Sequence, residues 1–271
     1  MINVAHELKK ARANGYAIGA FNTANLEVTK AICSAASKAD FPILIQTTPG
    51  AIEYAGLKQL FDIITDEIKS SGAKAGIHLD HAHDFLTVKQ AIDIGYSSVM
   101  FDGSKYPYEE NILMTEKVVD YAHKFGVSVE AEVGIIGREE GGRLSGKAVY
   151  SGPPEVVKFV EETGVDSIAI SVGNEHGAPE GEKLDLSLLE RISNVVEIPL
   201  VMHGASGLSH GDIRHAMGIG VAKFNIDTNI RKAFTSALES SDETDYRVAM
   251  EDAMAHVEKV VLQYIKLFRG A

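Results

Sequence analysis

Three histidines lie in short polar motifs that follow apolar runs in different parts of the chain. They are His81 in HLDHAHD, His176 in SVGNEHG and His203 in MHGASG. Neutral imidazoles that meet from separate segments are a common way to hold Zn²⁺ with one coordination position left open. If the apolar runs are strands whose ends meet, these residues predict a catalytic metal site.

A carboxylate, Asp80, directly precedes His81. An acidic group beside a metal can move a proton to or from a substrate hydroxyl. Successive residues of a strand point to opposite faces, so both side chains face one site only if the strand ends there, and the AHDF that follows indicates such an end. The alternative role for Asp80 is a hydrogen bond to a histidine ligand, a role also open to His78 and His83.

Two further motifs, MHGASG and NIDT, have the residue types of a phosphate site. Backbone N–H groups and hydroxyl or amide side chains bind phosphate well. Asp227 is itself an anion, so we expect it to bind substrate hydroxyls instead. The candidate donors are Gly204, Ala205, Ser206, Asn225 and Thr228.

The elements that must position these motifs are eight short apolar runs, each followed by a longer segment, most of helical periodicity. Several runs, such as PILIQ and SIAI, are apolar at consecutive positions, as expected for parallel strands that are covered on both faces. The pattern predicts a single-domain α/β fold, a (β/α)8 TIM barrel over residues 1–271. The runs are residues 17–21, 42–46, 75–79, 97–101, 127–133, 166–171, 199–203 and 222–226.

The barrel explains the motifs, because its reactive residues lie at the carboxyl ends of strands and phosphates usually bind after strands seven and eight. The alternative is a doubly wound open sheet. That fold usually has fewer strands and a glycine-rich turn after the first one, and AFNTANLE contains no glycine.

Two segments lie outside the repeating units. Residues 134–155 form the longest candidate loop, and loops of such length are usually functional or mobile, so we expect a mobile loop there. Residues 245–268 predict a long helix that packs on the barrel or on a neighbouring subunit.

The composition disfavours two classes of binding partner and indicates a cellular compartment. The 271 residues include 26 Lys and Arg against 38 Asp and Glu, a net charge of −12 that disfavours nucleic acid and anionic membranes. No stretch approaches the roughly 20 apolar residues of a membrane span. The single cysteine, Cys33, excludes an intrachain disulfide and suits a reducing compartment, so we expect a cytoplasmic protein.

In their order along the chain, the motifs resemble those of the class II, zinc-dependent ketose-bisphosphate aldolases. The resemblance extends from AIGAFN to KFNIDTNIRKAF and includes HLDHAHD, VEAEVG, SVGNEHG and PLVMHGASG. It implies a metal-dependent lyase that reversibly cleaves fructose or tagatose 1,6-bisphosphate to dihydroxyacetone phosphate and glyceraldehyde 3-phosphate through a zinc-stabilised enediolate. It also implies one Zn²⁺ per subunit, a K⁺ or Na⁺ site, and a homodimer or homotetramer.

The resemblance also implies roles for individual residues. His81, His176 and His203 would bind zinc, Glu132 would enter the metal shell, Asp80 would exchange the proton of the C4 hydroxyl, and Glu140 in the mobile loop would exchange the proton of the nucleophilic carbon. Where the family often has Asp-Pro-Arg, this chain has Asp-Tyr-Arg, whose Arg247 would reach the far phosphate in a neighbouring subunit. The remaining substrate residues would be Asn22, Thr48, Gly177, Gly204, Ser206, Asn225, Asp227 and Thr228.

Three other functions stay open at this point. The same family fold could act on a different ketose 1-phosphate. His81-x-His83 resembles the metal pair of barrel hydrolases, although those enzymes usually carry it on the first strand. A sugar-phosphate binder without catalysis is the third, but no expected catalytic residue is missing.

Overall fold

The computed structural model describes residues 1–140, 143–145, 148–177 and 183–270. Its strands are β1 (Ile18–Asn22), β2 (Ile43–Thr47), β3 (Ala75–Ala82), β4 (Ser98–Phe101), β5 (Ser128–Val133), β6 (Gly137–Glu140), β7 (Arg143–Ser145), β8 (Ser167–Ile170), β9 (Glu175–His176), β10 (Leu200–Met202) and β11 (Val221–Ile226). Its α-helices are α1 (Val4–Asn14), α2 (Leu26–Ala39), α3 (Pro49–Ala55), α4 (Leu57–Ser71), α5 (Phe85–Ile94), α6 (Tyr108–Ala122), α7 (Pro153–Thr163), α8 (Leu186–Ser193), α9 (His210–Ile219), α10 (Thr228–Glu239) and α11 (Tyr246–Phe268). Short 3₁₀ turns cover His123–Phe125 and Ala205–Gly207.

Eight strands form a closed barrel, and all neighbours in it are parallel. Their order around the barrel is β1, β11, β10, β8, β5, β4, β3 and β2. The predicted TIM barrel is therefore confirmed, and each of the eight apolar runs forms one barrel strand.

Burial on both faces explains the composition of these strands. Ile43, Leu44 and Ile45 follow one another in β2, and all three are completely buried. Ile43 and Ile45 pack in the core beneath the helices, whereas Leu44 packs with Val4 and Leu8 of α1, which covers the start of β1 and β2. Helices outside and side chains inside thus leave neither face of the strand exposed to water.

The barrel interior becomes polar toward the carboxyl ends of its strands. In β5, Val129 and Ala131 belong to the helix-facing core, while the alternate residues Glu130 and Glu132 point inward and are buried. The period of two along a strand therefore delivers carboxylates to the barrel axis.

A second, small sheet lies beside the barrel. β6 pairs antiparallel with β7 and parallel with β9. The sequence predicts one long loop over 134–155, but its described part contains β6 and β7. These strands connect the segment to β9, which carries His176.

The last helix, α11, packs on the barrel of its own chain. Val257, Val261 and Phe268 are fully buried, and the ring of Phe268 stacks on Phe224 of β11 with 5.2 Å between centroids. Within the described part of the chain, no helix has the length and apolar character needed to cross a membrane.

Candidate active site

The carboxyl ends of the barrel strands surround a cavity of about 220 Å³. Its walls come from the ends of β1, β3, β9 and β11 and from residues that follow β2, β9, β10 and β11, so residues distant in the sequence meet there. The lining residues are Asn22, Thr48, Asp80, His81, His176, Gly177, Gly204, Ser206, Asn225, Asp227, Thr228 and Arg231.

A bulge in β3 lets Asp80 and His81 face the same cavity. His81 has φ of 53°, in the left-handed region that side chains other than glycine rarely adopt, and the pairing of β3 with β4 shifts register between Leu79 and Ala82. β3 ends at Ala82, one residue beyond His81, so the predicted strand end lies close to this point but Asp80 and His81 are still within the strand. The irregular backbone at His81, and not a strand end, turns the two consecutive side chains to one side.

The three histidines converge as their positions predict. The ring centroids of His81 lie 5.0 Å from His176 and 4.7 Å from His203, and His176 and His203 are 5.7 Å apart. One nitrogen of each ring lies within 4.8 Å of the other two. His81 Nε2 and His203 Nδ1 face each other at 2.9 Å.

Carboxylates hold the opposite nitrogens of two of these rings. Asp102 Oδ2 lies 2.8 Å from His81 Nδ1, and Glu130 Oε1 lies 2.8 Å from His203 Nε2. Ser104 Oγ donates to the other oxygen of Asp102 at 2.6 Å. Such pairs fix the ring and tautomer of a metal-binding histidine, and three converging imidazole nitrogens are a donor set that suits a divalent transition metal. The residues present therefore fit a metal.

The charges around His81 also favour a bound cation. Burial opposes a charged imidazole, but Asp80 and the hydrogen-bonded Asp102 outweigh it and raise the pKa of His81 to about 9. Burial would raise the pKa of Asp102, yet the hydrogen bond and charge of His81 hold it well below its usual range. This excess of negative charge would attract a cation.

Asp80 is a buried carboxylate held by amides. It accepts hydrogen bonds from Asn225 Nδ2 at 3.1 Å, Gln46 Nε2 at 3.1 Å and Asn22 Nδ2 at 3.4 Å. Burial would raise its pKa, but the neighbouring His81, His203 and Lys223 lower it below the ordinary value. Asp80 is thus charged and oriented at the cavity wall.

The two glutamates assigned by resemblance differ in how the structure describes them. Glu132 lies with His81 and Asp102 in a second group of potential metal ligands within 4.8 Å, and its Oε1 accepts from the backbone N–H of Ile136 at 3.2 Å. Glu140 ends β6, where its backbone pairs with Arg143. The Glu140 side chain lies outside the part of the chain that the structure describes.

Most predicted substrate residues line the cavity, and two do not. The methyl group of Ala205 is buried in the hydrophobic core. Arg247 is exposed at the start of α11, where its guanidinium pairs with Asp245 at 2.6 Å, away from the cavity of its own chain. The structure brings together Asn22, Thr48, Gly177, Gly204, Ser206, Asn225, Asp227 and Thr228.

Gly204 is required by a close approach of two backbones. Its φ is 69°, and a Cβ atom there would lie 2.1 Å from the carbonyl oxygen of Glu175 and 3.1 Å from the nitrogen of His176. Only glycine allows the end of β10 to lie against β9. The residue thereby allows the rings of His203 and His176 to lie beside each other.

Sequence reasoning missed five residues around this cavity: Gln46, Asp102, Glu130, Lys223 and Arg231. Asp102 directly follows β4, and Glu130, Lys223 and Gln46 occupy positions of strands that point into the barrel. A polar residue at an inward position of a predicted strand, or directly after one, was the signal that could have identified them. Arg231 lies on α10, where its Nε is 3.0 Å from Asp227 Oδ2. Burial raises the pKa of Asp227 despite this arginine.

The ambiguous histidines lie around the carboxylates. His78 is fully buried, with its Nδ1 2.9 Å from Ser98 Oγ and its Nε2 3.9 Å from Glu130. His83 Nδ1 is 3.1 Å from the carbonyl oxygen of Asp102. His78 thus lies near Glu130, the partner of His203, and His83 contacts Asp102, the partner of His81. Neither His78 nor His83 lines the cavity.

Comparison with known proteins gives a consistent result. The family described as fructose-bisphosphate aldolase class-II matches residues 2–271. The chain is 29% identical to the YdjI aldolase from Escherichia coli K12, with a TM-score of 0.90, and the match covers 99% of this chain and 97% of that one. A fructose-bisphosphate aldolase from Campylobacter jejuni is 23% identical with a TM-score of 0.82 over 98% of this chain and 94% of that one, which indicates a common fold.

Proposed function

Since this chain belongs to the class II fructose-bisphosphate aldolase family, whose members are lyases, we propose that it reversibly cleaves a ketose 1,6-bisphosphate, either fructose or tagatose bisphosphate. The products are dihydroxyacetone phosphate and glyceraldehyde 3-phosphate. The observation that carries this proposal is the convergence of His81, His176 and His203 beside the charged Asp80.

The metal in this proposal is a single Zn²⁺ per subunit, bound by those three histidines. When bound, it acts as a Lewis acid that stabilises the negative charge left on the dihydroxyacetone phosphate half. Asp102 and Glu130 orient two of its ligands, and Glu132 is close enough to His81 to join the ligand set. The donor set and its carboxylate partners support this role.

Asp80 accepts the proton of the C4 hydroxyl as the bond between C3 and C4 breaks. Its three amide contacts orient both carboxylate oxygens, and its low pKa keeps it charged before the reaction. In the reverse direction the same group returns the proton to the forming hydroxyl. Glu140 then exchanges the proton of the carbon that acts as nucleophile, a role that rests on the family resemblance.

The phosphate of the dihydroxyacetone phosphate half binds where the cavity meets the start of α10. The amino terminus of a helix attracts anions, and Thr228 begins this helix at the cavity wall. Gly204, Ser206 and Asn225 supply further polar groups, and Asp227 binds substrate hydroxyls. Backbone atoms of Gly177 and Gly204 hold a K⁺ or Na⁺ beside the phosphate.

The aldehyde half extends into an adjoining groove of about 640 Å³. The groove and the cavity share Asn22, Thr48, Asp227, Thr228 and Arg231. Its volume exceeds that of the cavity, which supports the alternative that this chain prefers a ketose 1-phosphate with a different or longer aldehyde half.

We further propose that the protein acts in the cytoplasm as a homodimer or homotetramer, and that Arg247 reaches the site of a neighbouring subunit. The exposure of Arg247 at the start of α11 leaves it accessible for such a contact. The single buried thiol is compatible with a reducing compartment.

The decisive experiment is cleavage of fructose and tagatose 1,6-bisphosphate by the metal-loaded protein, with triose phosphate as the measured product. We expect cleavage that a chelator abolishes and added Zn²⁺ restores. His176→Ala should remove activity and bound metal, whereas His256→Ala, a matched change on the exposed face of α11, should leave both unchanged. Release of inorganic phosphate without triose phosphate would indicate a hydrolase, and binding without turnover would indicate a sugar-phosphate binder.

A further inference from the structure

A lysine lies fully buried inside the barrel, beneath the cavity. Lys223 is on β11, its side chain has no exposed area, and it does not line the cavity. A buried ammonium group is costly unless each of its donors is paired. Its three donors have three acceptors within hydrogen-bond distance, described below.

The first connection leads from Lys223 to a proposed metal ligand. Lys223 Nζ lies 2.9 Å from Glu130 Oε2 and 3.1 Å from Glu130 Oε1. Glu130 Oε1 in turn lies 2.8 Å from Nε2 of His203. Glu130 therefore contacts His203 from one fixed position, which leaves His203 Nδ1 directed at the other histidines.

The second connection leads from the same ammonium group to the proposed base. Lys223 Nζ donates to Asn225 Oδ1 at 2.7 Å, and Asn225 Nδ2 donates to Asp80 Oδ1 at 3.1 Å. Because the amide oxygen is held by the lysine, the amide N–H groups must face the carboxylate. Without this donor the amide oxygen of Asn225 would lose a hydrogen-bond partner, and the contact with Asp80 would have to orient the amide without the lysine.

We propose that Lys223 is a positioning residue that fixes His203 and Asp80 relative to one another through Glu130 and Asn225. The inference rests on the proposed aldolase function, in which His203 binds the metal and Asp80 transfers the proton. In this proposal, one side chain outside the cavity controls both the affinity for the metal and the proton-transfer step.

A purely structural role makes a different prediction. If Lys223 only neutralises the buried Glu130, its loss should lower the stability of the fold, and removal of both charges should restore both the stability and the kcat at saturating Zn²⁺. If it positions two groups, removal of both charges should restore stability but not the orientation of Asn225.

The test compares Lys223→Met, Glu130→Gln and the double variant Lys223→Met/Glu130→Gln in the metal-loaded protein. The readouts are the urea midpoint of unfolding, the Zn²⁺ dissociation constant from competition with a chelator, and kcat and KM at saturating Zn²⁺. For Lys223→Met we expect about 10- to 100-fold weaker Zn²⁺ binding and at least about tenfold lower kcat, with KM changed by less than about twofold. In the double variant, which buries no unpaired charge, the urea midpoint should recover while kcat stays low.

Recovery of kcat at saturating Zn²⁺ in the double variant would overturn the proposal, as would a folded Lys223→Met variant with unchanged kcat and Zn²⁺ affinity. If Lys223→Met alone does not fold, the kcat of the double variant decides. Zn²⁺ competition needs no substrate, so the two proposals fail separately. If the wild-type protein cleaves no ketose bisphosphate, the proposed function is refuted. If the wild-type protein cleaves it and the double variant has the same kcat, only the role of Lys223 is refuted.

Discussion

Asp102 Oδ2 lies 2.8 Å from His81 Nδ1, while His81 Nε2 faces His203 at 2.9 Å. The two nitrogens of one ring thus have different partners, a carboxylate and a second imidazole. In the neutral ring that a metal requires, this arrangement keeps the proton on Nδ1 and leaves Nε2 to bind the proposed metal. Asp102 thereby controls His81 without lining the cavity.

Asp102→Asn should weaken Zn²⁺ binding about 10- to 100-fold, because an amide in place of the carboxylate removes the charge that orients His81. The measurement is competition of the apoprotein with a chelator of known Zn²⁺ affinity. Asp252→Asn, which changes an exposed carboxylate on α11 that lies 3.7 Å from His256, is the matched control. Equal affinity in Asp102→Asn and wild type would show that the carboxylate contact does not matter for the metal.

Asp80→Ala should keep its Zn²⁺ and lose cleavage. Removal of a group that transfers a proton costs about 10²- to 10⁴-fold in rate, whereas the three histidines stay in place. Metal content by elemental analysis and kcat for the preferred ketose bisphosphate are measured on the same preparation. Near-normal turnover would remove Asp80 from the proton-transfer step, and loss of Zn²⁺ would make it part of metal binding instead.

The fold was predictable from the consecutive apolar residues in several of the runs. Such residues must be buried on both faces of a strand, and parallel strands in a barrel surrounded by helices are buried in this way. The convergence of His81, His176 and His203 followed from that fold, since His81 and His203 lie at the carboxyl ends of barrel strands and His176 lies in the segment that follows β8. The bulge at His81 was not predictable, because its left-handed backbone is imposed by tertiary packing and has no glycine to signal it.

The residues behind the cavity were harder to predict than those that line it. Glu130 and Lys223 lie within apolar strands, and whether they pair depends on the position of β5 and β11 around the barrel. A strand sequence gives the side on which a residue lies but not the residue opposite it across the interior. Spacing along the chain could not place these partners, which lie 93 positions apart.

Arg231 should determine how the enzyme handles charged aldehydes. It lies where the cavity meets the groove proposed for the aldehyde half, so its cation can bind an anionic end group. In the condensation direction, Arg231→Gln should lower kcat/KM about tenfold for glyceraldehyde 3-phosphate. For uncharged glyceraldehyde the change should stay within about twofold.

Arg191→Gln on α8, which changes an exposed guanidinium that donates to Ser187 at 2.9 Å, is the matched control for that experiment. A loss of equal size for both aldehydes would mean that Arg231 acts through Asp227, its partner at 3.0 Å, and not on the substrate. No loss with either aldehyde would place the charged end group elsewhere.

The single thiol provides a test of the fold that is independent of the active site. Burial, with a contribution from the charge of Glu67, raises the pKa of Cys33 to about 12. At pH 8.5 this leaves roughly 0.03% of the thiol ionised, whereas about half of an unperturbed thiol is ionised. A disulfide reagent should therefore modify Cys33 rapidly in guanidinium chloride and very slowly in the native protein, at a rate set by opening of the structure.

The same pKa fixes the direction of the pH dependence of stability. The folded-state pKa lies above the unfolded one, so the contribution of Cys33 to the free energy of unfolding is complete below pH 8 and decreases as the pH rises from about 8.5 toward 12. Cys33→Ala removes this titration and should flatten the loss of the urea midpoint between about pH 8 and 10 relative to wild type. Parallel pH profiles for the two proteins, or a native thiol that reacts as fast as the denatured one, would show that α2 does not bury Cys33 against the barrel in solution.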